Sequence, residues 1–147
     1  RPSPAICTCS IRTPASASTS GSTRTGRSGD ASTAKRHLAY VRKAVKALSK
    51  MPLPLARIET HPLLAGVHAI EGNEAAAVEE LRKGHAAFAE RSMGLWEACL
   101  GQVLGERLMG DEGSELRARS DSYFESHGIR DRARTLRGVL PGLGPEA

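Results

Sequence analysis

Few side chains in this 147-residue sequence have types and spacings that suit chemistry, and they are scattered along it. Protein kinase chemistry needs a Gly-rich loop over the phosphates, a strand lysine, a His-Arg-Asp loop followed by Asn, and an Asp-Phe-Gly for magnesium. The segment His127-Gly-Ile-Arg130-Asp131 echoes only the third of these, lacks the downstream Asn and falls at a predicted helix boundary, so it reads as coincidence. Gly105 to Gly110 has the gap length of a P-loop, but Asp111 stands where Lys and Ser or Thr would grip a phosphate, and a helix-breaking turn is the better account. The five histidines, His37, His61, His68, His85 and His127, are dispersed. His61 and His68 share a helix face only if Pro62 leaves the helix intact, whereas a metal site needs three or four converging ligands. Cys7 and Cys9 lack the two-to-four-residue gap and the second ligand pair of a zinc site, and an odd total of three with Cys99 indicates no disulfide framework. Cys99 falls in an apolar helical stripe and is expected to pack as a small hydrophobe. The sequence therefore predicts no catalytic residue, no cofactor and no metal.

The charge distribution is more informative. The net +5 is uneven: residues 1–30 hold four Arg and one Asp, residues 31–50 hold six Lys or Arg and no acid, and residues 51–147 hold eleven bases against fifteen acids. A basic block of this kind attracts nucleic acid or anionic lipid through phosphate contacts. With no interleaved aromatics and no base-reading motif it reads first as a solvated helix face, and nucleic acid ranks behind protein or peptide as the expected partner. Trp96 stands at helical spacing with Leu100 and Val103 and reads as core, with a groove-lining peptide anchor as its alternative role. Lys35, Arg36, Arg42, Lys43, Lys46 and Trp96 are the candidate partner contacts.

The elements that must position these residues follow from the apolar spacing. Residues 1–30 contain seven Ser, five Thr, four Arg, three Pro and three Gly, too little apolar surface to offset ordering entropy, and are expected to be disordered. From Asp30 or Ser32, either of which suits a helix cap, Ala34, Leu38, Val41, Val45, Leu48 and Met51 recur at gaps of three and four up to Pro52. A second pattern, Leu55, Ile58, Leu63, Leu64, Val67 and Ile70, is interrupted by Pro62, which costs about 3 kcal/mol inside a helix. Its firm part is expected to start near Pro62 with Thr60 as cap and to close at Gly72-Asn73 in a left-handed turn. Glu74 to Arg91 places Ala77, Val78, Leu81 and Phe88 on one side. Met93 to Met109 is the most apolar stretch and should be the buried centre, broken by Gly110 to Gly113. A fifth helix from about Glu112 to His127 and a short sixth from Arg130 to Leu140 complete the pattern. Sustained period-two alternation is missing and β-branched residues are sparse after residue 31, so the predicted class is all-α.

Helices joined by turns of two to four residues make antiparallel hairpins, and such hairpins stack as an α-solenoid. Leu64-Ala65-Gly66, Gly72-Asn73, Ala77, Leu81 and Phe88 resemble a tetratricopeptide hairpin, over a unit of about 30 residues from 62 to 91. Gly84 stands where such repeats keep Ala, which is expected to loosen that helix by up to about 1 kcal/mol. Leu104-Gly105, Gly110-Asp111-Glu112-Gly113, Leu116, Gly128-Ile129 and Leu140-Pro141-Gly142 resemble the C-terminal helical end of large bacterial serine/threonine protein kinases with tetratricopeptide-like tails, a kind abundant in myxobacteria. Similar tails follow ATPase modules in large bacterial signalling regulators. The resemblance covers about residues 51–143, with Ser120 in place of a small Ala and Arg132 where Pro is common. It implies a non-catalytic helical-repeat module over residues 31–143 that binds a protein, with the parent kinase domain as one candidate, or, as the alternative, a piece of a transcriptional or ATPase-type regulator whose basic helix contacts nucleic acid. Beginning at Arg1 rather than Met, the chain is expected to be the C-terminal piece of a larger protein. No run approaches the roughly 18 apolar residues of a membrane span, which points to the cytoplasm.

Overall fold

The structure, a computed structural model, describes the backbone of residues 27–143 and the side chains from residue 32 onward. Seven helices fill this span, α1 (Arg27–Leu48), α2 (Pro54–Ile58), α3 (Thr60–Ile70), α4 (Glu74–Ala89), α5 (Gly94–Arg107), α6 (Asp111–Ser126) and α7 (Arg132–Val139). No strand occurs among the described residues, and the fold is all-α. No helix among them is long and apolar enough to cross a membrane. The expected disorder of residues 1–30 falls mostly on residues outside the described ones, and α1 begins at Arg27. Once a helix is nucleated, adding a turn needs no apolar residue, so periodicity marks where burial begins and not where the helix begins.

Local chemistry sets the other boundaries. Pro54 occupies the first turn of α2, where a missing N–H costs nothing. Pro62 is tolerated for the same reason: it is the third residue of α3, is buried, and interrupts nothing. The helix breaks earlier, at Glu59. Thr60 does not cap α3, contrary to expectation; its hydroxyl turns back to donate to the Arg57 carbonyl of α2 at 2.6 Å. At the other end of α3 the left-handed residue is Gly72, with φ of 76°. Asn73 instead opens α4, its side-chain oxygen accepting from the Ala76 N–H at 3.3 Å. Asp131 caps α7 in the same way through the Arg134 N–H at 2.9 Å.

Neighbours in sequence are neighbours in space: α3 packs on α4, α4 on α5 and α5 on α6, while α7 returns onto α5 and α1 lies chiefly against α3. The core is centred on α5, as its apolar content predicts. Leu81, Phe88, Leu100, Val103, Leu104 and Phe124 are buried there, with Leu136, Leu140 and Leu143 closing one end. Not every residue of the apolar pattern is used, since Met51, Leu55 and Ile70 remain exposed.

Small residues decide how closely the central helices approach. Gly94, Ala98, Gly101 and Gly105 recur along α5 at gaps of four, three and four, which puts them on the face toward α6. A methyl group on Gly105 would lie 2.7 Å from the Gly113 carbonyl oxygen, and one on Gly101 would lie 2.7 Å from Ser120 Oγ. Gly113 is thus not part of a helix break. It lies inside α6, buried, where a methyl group would collide with the Leu108 carbonyl, and the turn is made by Gly110 alone, at φ 85°. Gly84 serves close approach as well: a methyl group there would come within 3.2 Å of His61 Cβ, so the glycine lets α3 and α4 close on each other.

Candidate functional site

The six candidate contact residues fall in two separate places. Lys35, Arg36, Arg42, Lys43 and Lys46 are all exposed on α1, whose Leu38, Val41, Val45 and Leu48 turn toward the body. With 100° between successive helical residues, Lys35, Arg36, Lys43 and Lys46 fan out on the side opposite that apolar face, and exposed Lys50 follows in the turn after α1. Arg42 stands at the edge of the fan and is withdrawn from it. Its Nη2 reaches both carboxylate oxygens of Glu71 at 2.6 Å, tying α1 to the end of α3. Lys35, Arg36, Lys43 and Lys46 make no ion pair among the described residues. The reason is local composition: no acid occurs between Asp30 and Glu59. The acids of the body are engaged elsewhere, Glu112 with Arg82, Glu74 with Arg107 and Asp121 with Arg132.

Trp96 stands apart from this surface. It is half-buried, not sealed in the core, and its ring stacks on that of Phe88 with centroids 5.1 Å apart and planes 9° from parallel. It lines a groove of about 280 Å³ whose other walls are Pro62 and Leu63 of α3 and the stretch from Gly138 to Pro141. The walls are apolar except for Glu59, at the α2–α3 break. Sequence spacing anticipated the Trp96–Leu100–Val103 stripe, and Leu100 and Val103 are indeed buried. It could not anticipate the groove, because one wall comes from α7, folded back across about 40 residues of chain. Cys99 is fully buried, and burial pushes its thiol up to about 11, so it packs and is not a nucleophile at neutral pH.

The dispersed histidines stay dispersed. His61 Nδ1 meets Glu80 at 2.8 Å, and no group of three or more His, Cys, Asp or Glu among the described residues is placed to hold a metal ion. Burial acts to raise the Glu80 carboxyl, but hydrogen bonds from His61 and Lys83 outweigh it and hold the group below the usual range. His127 stacks on Tyr123 at 4.0 Å and bonds within its own helix end, which makes it a terminal fastening of α6. Compared with known protein families, curated proteins and solved structures, the chain matches none.

Proposed function

We propose that the chain is a non-catalytic helical-repeat interaction module, a scaffold that seats a partner peptide or a neighbouring domain in the Trp96 groove. The observation that carries this reading is the half-open indole of Trp96, held flat by Phe88 against one wall of an otherwise apolar groove. A large aromatic that is braced from behind and open in front is the usual anchor of a binding hot spot. The resemblance to kinase tails supports the same assignment, with the catalytic domain of a parent kinase as one occupant. Trp96 is the single tryptophan, so its fluorescence reports on the groove alone. Peptides selected from a display library against the whole chain are expected to shift Trp96 emission on binding. Trp96→Ala should weaken them by about tenfold or more, as loss of a hot-spot residue does. Selected peptides that bind equally well to Trp96→Ala would refute the groove.

The second reading is nucleic-acid contact through α1, favoured by its fan of unpaired cations. The two separate by salt: affinity carried by phosphate contacts falls steeply as salt rises, whereas apolar burial in the groove does not.

A further inference from the structure

A second cavity, distinct from the Trp96 groove, opens between α4, α5 and α6. Its volume is about 390 Å³, within the range of small-molecule sites. It is more polar than the groove: His85, Glu97, Arg119, Ser120, Tyr123 and two further serines share its lining with Gly94, Ala98 and Leu116. The absence of a side chain at Gly101 brings two of these groups toward one point. Ser120 Oγ and His85 Nε2 lie 2.7 Å and 3.4 Å from the position a Gly101 methyl would take.

Three features of this lining are unspent. His85 is half-buried and makes no hydrogen bond among the described residues, and its ring nitrogens are not sealed from solvent, so they stay available to a ligand. Ser120 is buried and uses its proton on the Leu116 carbonyl at 2.9 Å, which leaves its oxygen lone pairs for a donor from the cavity. Arg119 and Glu97 meet through one contact of 3.4 Å, Nη2 to Oε1. This is the loosest arginine–carboxylate pair among the described residues. Arg42 holds Glu71 through two contacts of 2.6 Å, and Arg82 and Arg132 each make two contacts to carboxylates. The Arg119 side chain is 66% exposed and that of Glu97 26%, so the remaining guanidinium donors and the second Glu97 oxygen, which make no other contact among the described residues, stand at the cavity mouth with water as their present partner.

We propose that this cavity binds a small zwitterion of the α-amino-acid class, with its carboxylate on Arg119, its ammonium on Glu97 and a polar side chain directed toward His85 and Ser120. Opposite charges side by side match the ammonium and carboxylate that an α-amino acid carries on one carbon. A fork of guanidinium donors suits a carboxylate geometrically. A simple anion would be opposed by Glu97 and a simple cation by Arg119, so each charge selects against half of the alternatives.

The test titrates the whole chain with each free proteinogenic amino acid, followed by nuclear magnetic resonance and calorimetry. The N-acetyl amides of the same amino acids, glucose and adenosine serve as neutral probes. At least one polar free amino acid should bind saturably with Kd of about 1 mM or tighter. The shifted amides should cluster near His85, Gly101 and Arg119 to Tyr123. The matching N-acetyl amide should bind about tenfold more weakly or not at all, and Glu97→Gln and Arg119→Gln should each cost about tenfold. Both side chains reach the surface, so melting should not change; if Arg119→Gln does melt early, Arg119→Lys, which keeps the charge and loses the fork, is expected to weaken binding in the same direction. Trp96→Ala should leave this binding intact, which separates the cavity from the groove. The proposal is overturned if no free amino acid binds, if the neutral probes bind as well, or if neither charge removal weakens the complex.

Discussion

The two ends of this helical stack are built on opposite principles. Between α5 and α6 the helices touch backbone to backbone: Gly105 faces the Gly113 carbonyl, Arg117 donates to the Gly105 carbonyl, and Leu100, Val103 and Leu104 on the flanks are almost wholly buried. Between α1 and α3 the contact is thin. Of the apolar face of α1 only Val45 is buried among the described residues, at 9% exposure, and an exposed ion pair, Arg42 with Glu71, fastens it to the end of α3. Length does not account for the difference, because α1 at 22 residues is the longest helix present. What matters is that α5 has partners on several sides and α1 lies chiefly against one, α3. Helical stability in proteins comes chiefly from packing of the apolar face, so α1 should be the first element to open.

The largest effect that can break this contrast is at Leu100. Truncation to Ala should cost about 2 to 5 kcal/mol, lost transfer energy plus a cavity that rigid neighbours cannot fill. Thermal melting by circular dichroism, with exposed Glu79→Ala as the control, measures it; a control-like melt would show that the centre of the stack is not the core. Next comes Gly113→Ala. Because the atom in the way is a backbone carbonyl, α6 must move outward, at a cost of about 1 to 3 kcal/mol. A neutral result would mean that the α5–α6 approach is looser than described. Gly138→Ala is the useful comparison, since a methyl there meets nothing within 4 Å.

The thin end should respond less. Arg42→Ala removes a pair whose side chains are 54% and 35% exposed, so it should cost about 0.2 to 1 kcal/mol and vanish in high salt. Its sharper signature is local: amide hydrogen exchange should quicken along α1 and stay unchanged in α5. Uniform quickening would make α1 part of the same cooperative unit as the core and erase the contrast.

Two titrations sharpen the picture further. The Cys99 thiol is raised by burial from 9.0 to about 11, so the neutral form is favoured by folding; that stability is complete below pH 9 and is lost as pH rises toward 11. A melting curve that declines in this window in wild type, and less in Cys99→Ala, is expected. Glu80 has the opposite sign. Its carboxyl is held below 4.5, so the α3–α4 tie it makes with His61 is present above that pH and lost as pH falls below it. The acid effect should be the smaller of the two and should be absent in Glu80→Gln.

Much of the fold was legible because helical periodicity is a local property. Five of the six apolar stretches match one observed helix each to within a few residues, and the second divides into α2 and α3; the differences arise where a boundary depends on something nonlocal. Thr60 has the chemistry of a cap, but α2 offers its hydroxyl a nearer acceptor. Gly113 has the chemistry of a turn, but Gly110 already makes it, and Gly113 is needed for close approach. Of the candidate contacts, the exposure of the five α1 cations was readable from the charge block. The removal of Arg42 by Glu71, 29 positions away, was not.

The sequence by itself determined the helical class, the punctuation by Gly, Pro and Asn, the central place of the Met93–Met109 stretch and the segregation of positive charge into one helix. Each depends on residues within a turn or two of one another, where backbone sterics and the 3.6-residue period act directly. Tertiary structure alone decided which glycines turn the chain and which let helices touch, which cations stay free, and which cavities open. Those outcomes depend on the distance of closest approach between helices far apart in the chain, and that distance is set jointly by side chains on both. The groove beside Trp96 exists because the stretch from Gly138 to Pro141 returns to Pro62 and Leu63, and Gly101 leaves His85 and Ser120 room to approach one point beside the second cavity.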